Sequence, residues 1–247
     1  MRTYAIGDIH GHLDKLQEAH RRIAEDRART GDDAAPVVHI GDLVDRGPDS
    51  RGVLDFLIAG HEAGRPWVTL KGNHDRMFAR FMADPDAHDP GLRADLHWLH
   101  PRLGGDRTLA SYGIADVAAR LIVDLHGEAV ARIPPAHVAF LRRLPVSFSR
   151  GAALFVHAGI RPGVPLEDQS EDDLLWIRAA FLEDPRDHGC LVVHGHTPVD
   201  RVMHCGNRLN IDTGAGYGDA LSAVVIEDGS VWRLGAEGRE PIRPPAR

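Results

Sequence analysis

The sequence has few cysteines, few aromatic residues and no long apolar run, and each shortage excludes a class of protein. Two cysteines in 247 residues exclude a disulfide-built scaffold and favour a reducing compartment, so we expect a cytoplasmic protein. Since no stretch approaches the roughly 20 apolar residues of a membrane span, we expect no membrane partner. The apolar run near the N-terminus is also too short for a signal peptide.

An excess of basic charge is also lacking. The 29 Lys and Arg residues are outnumbered by 36 Asp and Glu residues, for a formal net charge of −7. An acidic chain has no general attraction for nucleic acid, so we expect no nucleic-acid partner. Histidine, by contrast, is abundant, with 16 residues. Several histidines follow apolar runs and stand beside glycine and aspartate.

The first seventy residues alternate between strand-like and helix-like patterns. The apolar periodicity predicts strands over 3–6, 37–40 and 67–70, and helices over 13–29 and 51–63, the second capped by Ser50. Three strand–loop–helix units in succession predict an α/β protein with helices outside a central sheet.

The second half of the chain has a different organisation. Residues 76–144 are expected to form a helical cap insertion, with the segment 98–113 near the mouth of the site. Strands return at 154–157, 191–194, 209–211, 221–227 and 230–234, and Asp228-Gly229 predicts a hairpin between the last two. We predict a single domain over 1–238 and a loose C-terminal tail over 239–247.

Five loops in the predicted α/β core carry polar residues directly after an apolar run. They are GDIHG, GDLVDRG, GNHD, VHAG and GHTP. Because loops at the ends of strands converge in α/β sheets, and glycine lets a backbone approach a ligand closely, we expect their side chains to meet. The loops then bring together Asp8, His10, Asp42, Asn73, His157 and His196.

This set of six side chains has the composition of a metal site. Carboxylate and amide oxygens with imidazole nitrogens, and no thiolate, suit Mn²⁺, Fe or Zn²⁺. Six ligands are too many for one catalytic ion that also holds water. They suit two ions about 3.5–4 Å apart that share one carboxylate, an arrangement typical of phosphoryl transfer.

The motifs together resemble those of the calcineurin-like metallophosphoesterases, specifically the phosphoprotein phosphatase branch in its bacterial and phage form. The resemblance covers most of the chain and includes LLWIR, which ends at Arg178, and NRLNIDTGA at residues 207–215. Each motif is weak alone, but five in the same order are specific. The resemblance implies a sandwich of two mixed β-sheets flanked by helices.

The resemblance also implies a role for each motif residue. Asp8 and His10 would bind the first of two divalent ions, and Asp42 would bridge both. The second ion would be bound by Asn73, His157 and His196. Mn²⁺ is the expected metal, with Fe or Zn²⁺ as alternatives.

The same resemblance implies the chemistry around the ions. Arg46 and Arg178 would bind the phosphate oxygens, although Arg178 could instead be an ion-paired helix residue. His74 would protonate the leaving alkoxide, and Asp45 would orient His74. A water that bridges the two ions would attack phosphorus directly, without a phosphoenzyme.

Two positions bear on the substrate class. Many nucleases and cyclic-nucleotide phosphodiesterases of this superfamily have Gly-His-x-His, but Pro198 stands at the last position here. By the same resemblance, Asp45 implies a serine/threonine protein phosphatase acting on phosphoproteins or phosphopeptides, since the resembling tetraphosphate hydrolases often have a different residue at this position. A symmetric dinucleoside tetraphosphate hydrolase, which acts on a nucleotide polyphosphate, is the alternative. A metal-stabilised binding protein without catalysis is a third hypothesis.

Four residues outside the ligand set have open interpretations. Cys190 and Cys205, with nearby histidines, match no common zinc spacing and are expected to be structural thiols. Asp75 is expected to orient its loop rather than to bind metal. The position of Tyr217 suggests that it lines the pocket.

Overall fold

The strands of the protein form two sheets in a computed structural model that describes residues 1–245. The described strands are β1 (Arg2–Ile6), β2 (Val37–His39), β3 (Trp67–Thr69), β4 (Ser147–Arg150), β5 (Ala153–Val156), β6 (Leu191–His194), β7 (Met203–His204), β8 (Arg208–Asn210), β9 (Ala223–Glu227), β10 (Ser230–Gly235) and β11 (Gly238–Ile242).

The described helices are α1 (Leu13–Thr30), α2 (Ser50–Glu62), α3 (Asn73–Phe81), α4 (Gly105–Ser111), α5 (Ile122–Arg132), α6 (Pro135–Arg143), α7 (Glu171–Trp176) and α8 (Ala179–Leu182). Short 3₁₀ turns occur at Val117–Ala119, Leu166–Asp168 and Ala215–Tyr217. Within residues 1–245, no helix is both long and apolar enough to cross a lipid bilayer.

Both sheets are mixed. The first has the order β11-β10-β9-β1-β2-β3, in which β1, β2 and β3 are parallel and the other pairs are antiparallel. The second has the order β4-β5-β6-β8-β7, with β5, β6 and β8 parallel and an antiparallel strand at each edge. The parallel strands of the two sheets, β1, β2 and β3 in the first and β5 and β6 in the second, carry all five motif loops at their carboxyl ends.

The alternation of side chains along β1 explains how the layers pack. Ala5 belongs to an apolar cluster that also contains Phe155 and Val193 of the second sheet, so the two sheets pack face to face. Tyr4 and Ile6 point the other way and pack with buried residues of α1 and α2, as a strand buried on both faces requires. The predicted fold class, two mixed sheets flanked by helices, is confirmed.

The segment between β3 and β4 is helical and shares the main core. The buried cluster that contains residues of α1 and α2 also contains Phe78 of α3, Leu109 of α4, and Trp98, which lies in the loop before α4. The rings of Phe78 and Trp98 stack with centroids 5.1 Å apart. The region predicted as a cap is therefore packed against the core through α3 and α4.

Three strands lie where the sequence indicated none: β4, β7 and β11. β7 has two residues, and β11 contains Pro241, which only an edge strand tolerates easily. The loose tail predicted from residue 239 is wrong up to Ile242, because this segment pairs with β10 and Arg239 bonds Asp26 at 2.8 Å. The last two residues of that predicted tail lie outside the described residues.

The cap of α2 is one residue earlier than predicted. Asp49, rather than Ser50, accepts a hydrogen bond from the backbone of Gly52 at 2.8 Å, as an N-cap carboxylate does. The Ser50 hydroxyl instead bonds the backbone N–H of Asp45 at 3.1 Å. A residue expected to cap a helix therefore supports the loop that carries Asp45.

Three histidines form a chain on the helix side of the first sheet. His20 Nε2 lies 3.0 Å from His39 Nε2, and His39 and His61 both contact the hydroxyl of Thr69, at 3.2 and 3.0 Å. Burial lowers the pKa of His20 to about 4, and burial also lowers the pKa of His39 and of His61. These imidazoles are therefore neutral in the folded protein at neutral pH.

Acid is expected to destabilise the fold through this chain. The unfolded protein binds a proton at His20 near pH 6.5, whereas the folded protein does so only near pH 4, so stability is lost as pH falls through this window. Between pH 7 and pH 5 the loss from His20 is about 2 kcal/mol. Thermal unfolding of metal-free protein should show a smaller acid-induced drop in Tm for His20→Gln than for the wild type. Equal drops would contradict this role.

Candidate metal centre

The six predicted ligand residues lie together at the carboxyl ends of the parallel strands. Asp8, Asp42 and Asn73 follow β1, β2 and β3, while His157 and His196 follow β5 and β6 of the other sheet. All are almost fully buried: Asp8 1%, His10 2%, Asp42 2%, Asn73 2%, His157 0% and His196 7% exposed. The site therefore lies where the edges of the two sheets meet.

The backbone of these loops is unusual. Five of the seven described non-glycine residues with positive φ are His10 (46°), Asp42 (49°), Asp45 (73°), Arg46 (66°) and His196 (65°). Such conformations cost energy for residues with a Cβ and cluster at functional sites. The strain is therefore concentrated in three of the five motif loops, GDIHG, GDLVDRG and GHTP.

Two glycines allow the loops after β2 and β3 to touch. A Cβ at Gly41, whose φ is 101°, would lie 2.5 Å from the Gly72 nitrogen. A Cβ at Gly72 would lie 2.2 Å from the Asp42 nitrogen. Any side chain at either position would force the loops apart, and with them Asp42 and Asn73.

One group of ligand atoms converges around Asn73. Its Oδ1 lies 2.8 Å from His157 Nε2 and 2.9 Å from His196 Nδ1, and His157 Nε2 lies 3.4 Å from Asp42 Oδ1. Ligands bound to one ion at about 2.0–2.2 Å are separated by about 3 Å, so these spacings fit a single cation.

A second group shares Asp42. His10 Nε2 lies 3.3 Å from Asp42 Oδ2, and His74 completes this group. Asp42 is thus common to both groups, with one carboxylate oxygen directed to each. In the described part of the chain, these two are the groups of three or more His, Cys, Asp or Glu side chains that could hold a metal.

Backbone carbonyls set the tautomers of two histidines. His10 Nδ1 donates to the Val44 carbonyl at 3.0 Å, and His157 Nδ1 donates to the Ile40 carbonyl at 3.1 Å. Burial lowers the pKa of both imidazoles, so each is neutral with a lone pair on Nε2. This is the form that binds a metal.

Asp8 lies beside these two groups rather than within them. Its Oδ2 accepts the backbone N–H of His196 at 3.0 Å. Within the described residues its Oδ1 is buried and has no hydrogen-bond partner. Burial, and next the nearby Asp212 and Asp42, raise the pKa of Asp8 well above its usual range. A divalent cation would offset this crowding of carboxylates, so the donor set fits metal ions.

His74 and Asp45 form a buried pair next to the ligands. His74 Nδ1 lies 2.7 Å from Asp45 Oδ2, and His74 and Asp45 are 3% and 0% exposed. The backbone N–H of His74 donates to Asp42 Oδ1 at 3.0 Å. His74 is thus held by Asp42 through its backbone and by Asp45 through its ring.

Two residues that hold Asp45 come from the predicted cap. Trp98 Nε1 donates to Asp45 Oδ2 at 2.9 Å, and the Thr108 hydroxyl donates to Oδ1 at 2.7 Å. The sequence placed this segment near the site without naming a contact. No local pattern could reveal these bonds, because the partners are 53 and 63 residues apart.

Both predicted phosphate-binding arginines lie around the cluster. Arg46 Nη1 is 2.8 Å from His10 Nε2, and Arg46 Nη2 is 3.2 Å from His74 Nε2. Arg178 is exposed two residues after α7. Burial of the His196 ring, followed by the charges of His157 and Arg178, lowers the pKa of His196. The Arg46 guanidinium also lies over the exposed Tyr217 ring, 4.6 Å from its centroid.

The family is shown by comparison with known proteins. The model of the calcineurin-like phosphoesterase family matches residues 1–225. The chain belongs to this family. Phosphoester hydrolysis is therefore the chemistry of this chain, and divalent metals are implied for the two ligand groups.

Relatives of this phosphoesterase differ in substrate. It is 29% identical over 238 residues to serine/threonine-protein phosphatase 1 of Salmonella typhimurium, covering 91% of this chain and 92% of that protein. It is also 29% identical over 224 residues to the asymmetrical bis(5'-nucleosyl)-tetraphosphatase PrpE of Bacillus velezensis, covering 88% and 86%. The chain therefore has the same identity to a relative named as a protein phosphatase and to one named as a dinucleotide hydrolase.

Solved structures confirm the fold of the phosphoesterase. A structure assigned as a diadenosine tetraphosphatase superposes with a TM-score of 0.64 at 21% identity, covering 94% of this chain and 92% of that one. A cold-active protein-tyrosine phosphatase from a Shewanella species gives 0.63 at 18% identity, covering 98% and 80%. At these identities the likeness concerns the fold alone.

Two further carboxylates belong to the site of the phosphoesterase. Asp75 accepts the backbone N–H of Leu43 at 2.9 Å and that of Gly72 at 2.7 Å, so it ties the two loops together. Asp212, within the NIDTGA motif, was given no role from the sequence. Burial, and also the charge of Asp42, raise the pKa of Asp212 to about 6.

Proposed function

We propose that this phosphoesterase is a two-metal serine/threonine protein phosphatase for which Mn²⁺ is the expected metal. The observation that carries the proposal is the buried hydrogen bond of 2.7 Å between His74 and Asp45, which holds the His74 ring close to His10 and Asp42. A protein that only binds metal needs no imidazole held in this way. The pair therefore favours catalysis over the hypothesis of a metal-stabilised binding protein.

The proposed ligands are those of the two groups, except that Asp8, which lies beside them, takes the place of His74, whose Nδ1 is bonded to Asp45. Asp8, His10 and Asp42 would hold one ion, and the other would be held by Asp42, Asn73, His157 and His196. When bound, two such ions neutralise phosphate charge and make water a stronger nucleophile. Because Nδ1 of His10 and of His157 donates to a backbone carbonyl, Nε2 of each ring carries the lone pair, which supports this assignment.

Arg46 and Arg178 are proposed to bind the phosphate oxygens. A guanidinium offers a planar fork of donors that matches two oxygens of one phosphate. Arg46 is directed at the centre by its contacts with His10 and His74. The Tyr217 ring lies against its guanidinium and limits where the side chain can move.

His74 is proposed to donate a proton to the leaving alkoxide. Its Nδ1–H bonds Asp45, so Nε2 is the atom available to substrate. The Asp45 carboxylate stabilises the imidazolium that must give up this proton. Because Trp98 and Thr108 occupy both oxygens of Asp45, the carboxylate cannot rotate away, and the imidazole keeps its orientation after the proton has left.

Dinucleoside tetraphosphates are the second candidate substrates. The observation that favours them is Tyr217, which is 65% exposed and lies beside Arg46, so that its ring offers a face on which a nucleobase could stack. Asp45 in the second motif is the reason to prefer phosphoproteins. We also propose a reducing, cytoplasmic compartment, in line with the two free cysteines.

A substrate panel measured with and without Mn²⁺ tests this function. We expect metal-dependent hydrolysis of phosphoserine and phosphothreonine peptides with a kcat/KM at least about ten times that for diadenosine tetraphosphate, which corresponds to roughly 1.4 kcal/mol. The reverse ratio would favour the nucleotide function, and the products would separate symmetrical from asymmetrical cleavage. No turnover of peptides, aryl phosphate or dinucleotide with Mn²⁺, Fe²⁺ or Zn²⁺ would contradict both candidates.

A further inference from the structure

Arg76 joins three separate segments of the chain. It lies on α3, directly after the GNHD motif, and its side chain is 8% exposed. Its Nε and Nη2 donate to the two oxygens of Asp89, each at 2.7 Å. Its remaining nitrogen, Nη1, donates to Asp172 of α7 at 2.7 Å. The helix that begins with Asn73 and His74 is thereby bonded to α7.

A second set of contacts connects Asp89 to the last residue of α7, Trp176. Asp89 Oδ1 also accepts the backbone N–H of Gly91 at 3.0 Å. A Cβ added at Gly91 would lie 2.3 Å from Trp176, so this backbone packs directly on the indole. Trp176 meets the His196 ring edge to face, with centroids 5.8 Å apart.

Helix α7 depends on such ties for its position. It has six residues, Glu171–Trp176, and a helix this short has little stability of its own. The backbone N–H of Ala158, next to His157, donates to the Leu174 carbonyl at 2.8 Å. Arg178 follows α7 after one intervening residue, so its place at the site is set by where α7 lies.

We infer that Arg76 is a positioning residue that holds α7 so that Arg178 reaches the substrate phosphate. The inference rests on the proposed phosphate-binding role of Arg178. The bidentate bond to the buried Asp89 fixes the guanidinium of Arg76, since planar fork-to-fork pairs are both strong and directional. The third nitrogen of the guanidinium, Nη1, then donates to Asp172 from a fixed position. Because Arg76 and His74 both lie on α3, this bond fixes the position of α7 relative to His74.

Asp172→Asn tests the inference with little risk to folding, because the Asp172 side chain is 58% exposed and exposed ion pairs contribute little to stability. For an aryl phosphate, we expect KM, and the inhibition constant of inorganic phosphate, to rise about fivefold as Arg178 loses its position. We expect kcat within about twofold of the wild type. Removal of a negative charge alone would strengthen anion binding, so a lower KM would overturn the inference.

Two controls separate this role from a general loss of structure. Asp95→Asn removes another exposed carboxylate that is paired with an arginine, Arg93, at 2.6 Å, and should leave KM, kcat and Tm unchanged. Asp172→Glu keeps the charged carboxylate that pairs with Arg76 and should restore most of the affinity for phosphate. An equal rise in KM for Asp95→Asn and Asp172→Asn would refute a specific contact.

A double-mutant cycle distinguishes failure of the inference from failure of the proposed function. Arg178→Ala alone should raise KM, and adding Asp172→Asn should have no further effect, because the two changes act through one side chain. Additive effects would overturn the inference while leaving the phosphate role of Arg178 intact. An unchanged KM in Arg178→Ala would contradict the proposed function itself.

Discussion

Asp42→Asn is expected to lose both metal ions and at least about 10³-fold in kcat/KM, equivalent to about 4 kcal/mol. Asp42 is the residue common to the two ligand groups, with Oδ1 toward His157 and Oδ2 toward His10. An amide has only one acceptor oxygen and no charge, so it cannot serve both groups at once.

Metal analysis after dialysis is the direct measurement for this variant. Asn73→Ala is the matched comparison, because the side-chain oxygen of Asn73 contacts His157 and His196, which belong to one of the two groups. Asn73→Ala should weaken the binding of one ion and leave the binding of the other unchanged. Asp42→Asn should weaken the binding of both ions. Two full equivalents of Mn²⁺ bound to Asp42→Asn would refute the bridging role. A smaller loss of metal and activity in Asp42→Asn than in Asn73→Ala would refute it as well.

His74→Asn is expected to lower kcat by about 10²–10⁴-fold on alkyl phosphates such as phosphoserine peptides, the usual contribution of a general acid. The loss should be much smaller on an aryl phosphate, because a stabilised phenolate leaves without needing a proton. This dependence on the leaving group follows from the position of His74 Nε2. Asp45 bonds the other ring nitrogen, Nδ1, and Nε2 lies beside Arg46.

Steady-state rates on the two substrates, with metal content measured in parallel, test this assignment. Asp45→Asn should show the same preference for aryl phosphate in weaker form, since it leaves the ring in place and removes the charge that orients it. Equal losses on both substrates, or activity unchanged at full metal content, would remove His74 from the proton transfer.

The contrast between Asn73 and His74 shows what adjacent residues in a sequence can indicate. Both lie in GNHD; the expected convergence of the loops predicted Asn73 as a metal ligand, and the family resemblance implied an acid–base role for His74. The structure places Asn73 Oδ1 between two imidazoles and the His74 ring against Asp45. Because neighbouring side chains at the start of α3 point in different directions, a single turn supplies both groups.

The local pattern of the sequence determined the central strands, the first two helices, the motif loops and the residues that meet there. These follow from short-range physics: apolar periodicity forms strands and helices, and glycine permits the turns that end them. The edge strands β4, β7 and β11 escaped this pattern because they are short or half exposed, and pairing with a neighbour decides their conformation.

Only the tertiary structure decided what holds the reactive groups in place. The bonds from Trp98 and Thr108 to Asp45, and from Arg76 to Asp172, join residues 53, 63 and 96 positions apart. Such contacts depend on how the segment between β3 and β4 packs on the core, and a one-dimensional pattern contains no information about that packing. The sequence by itself determined which chemical groups this phosphoesterase has, while folding decided how they are oriented, because orientation comes from buried hydrogen bonds between distant segments.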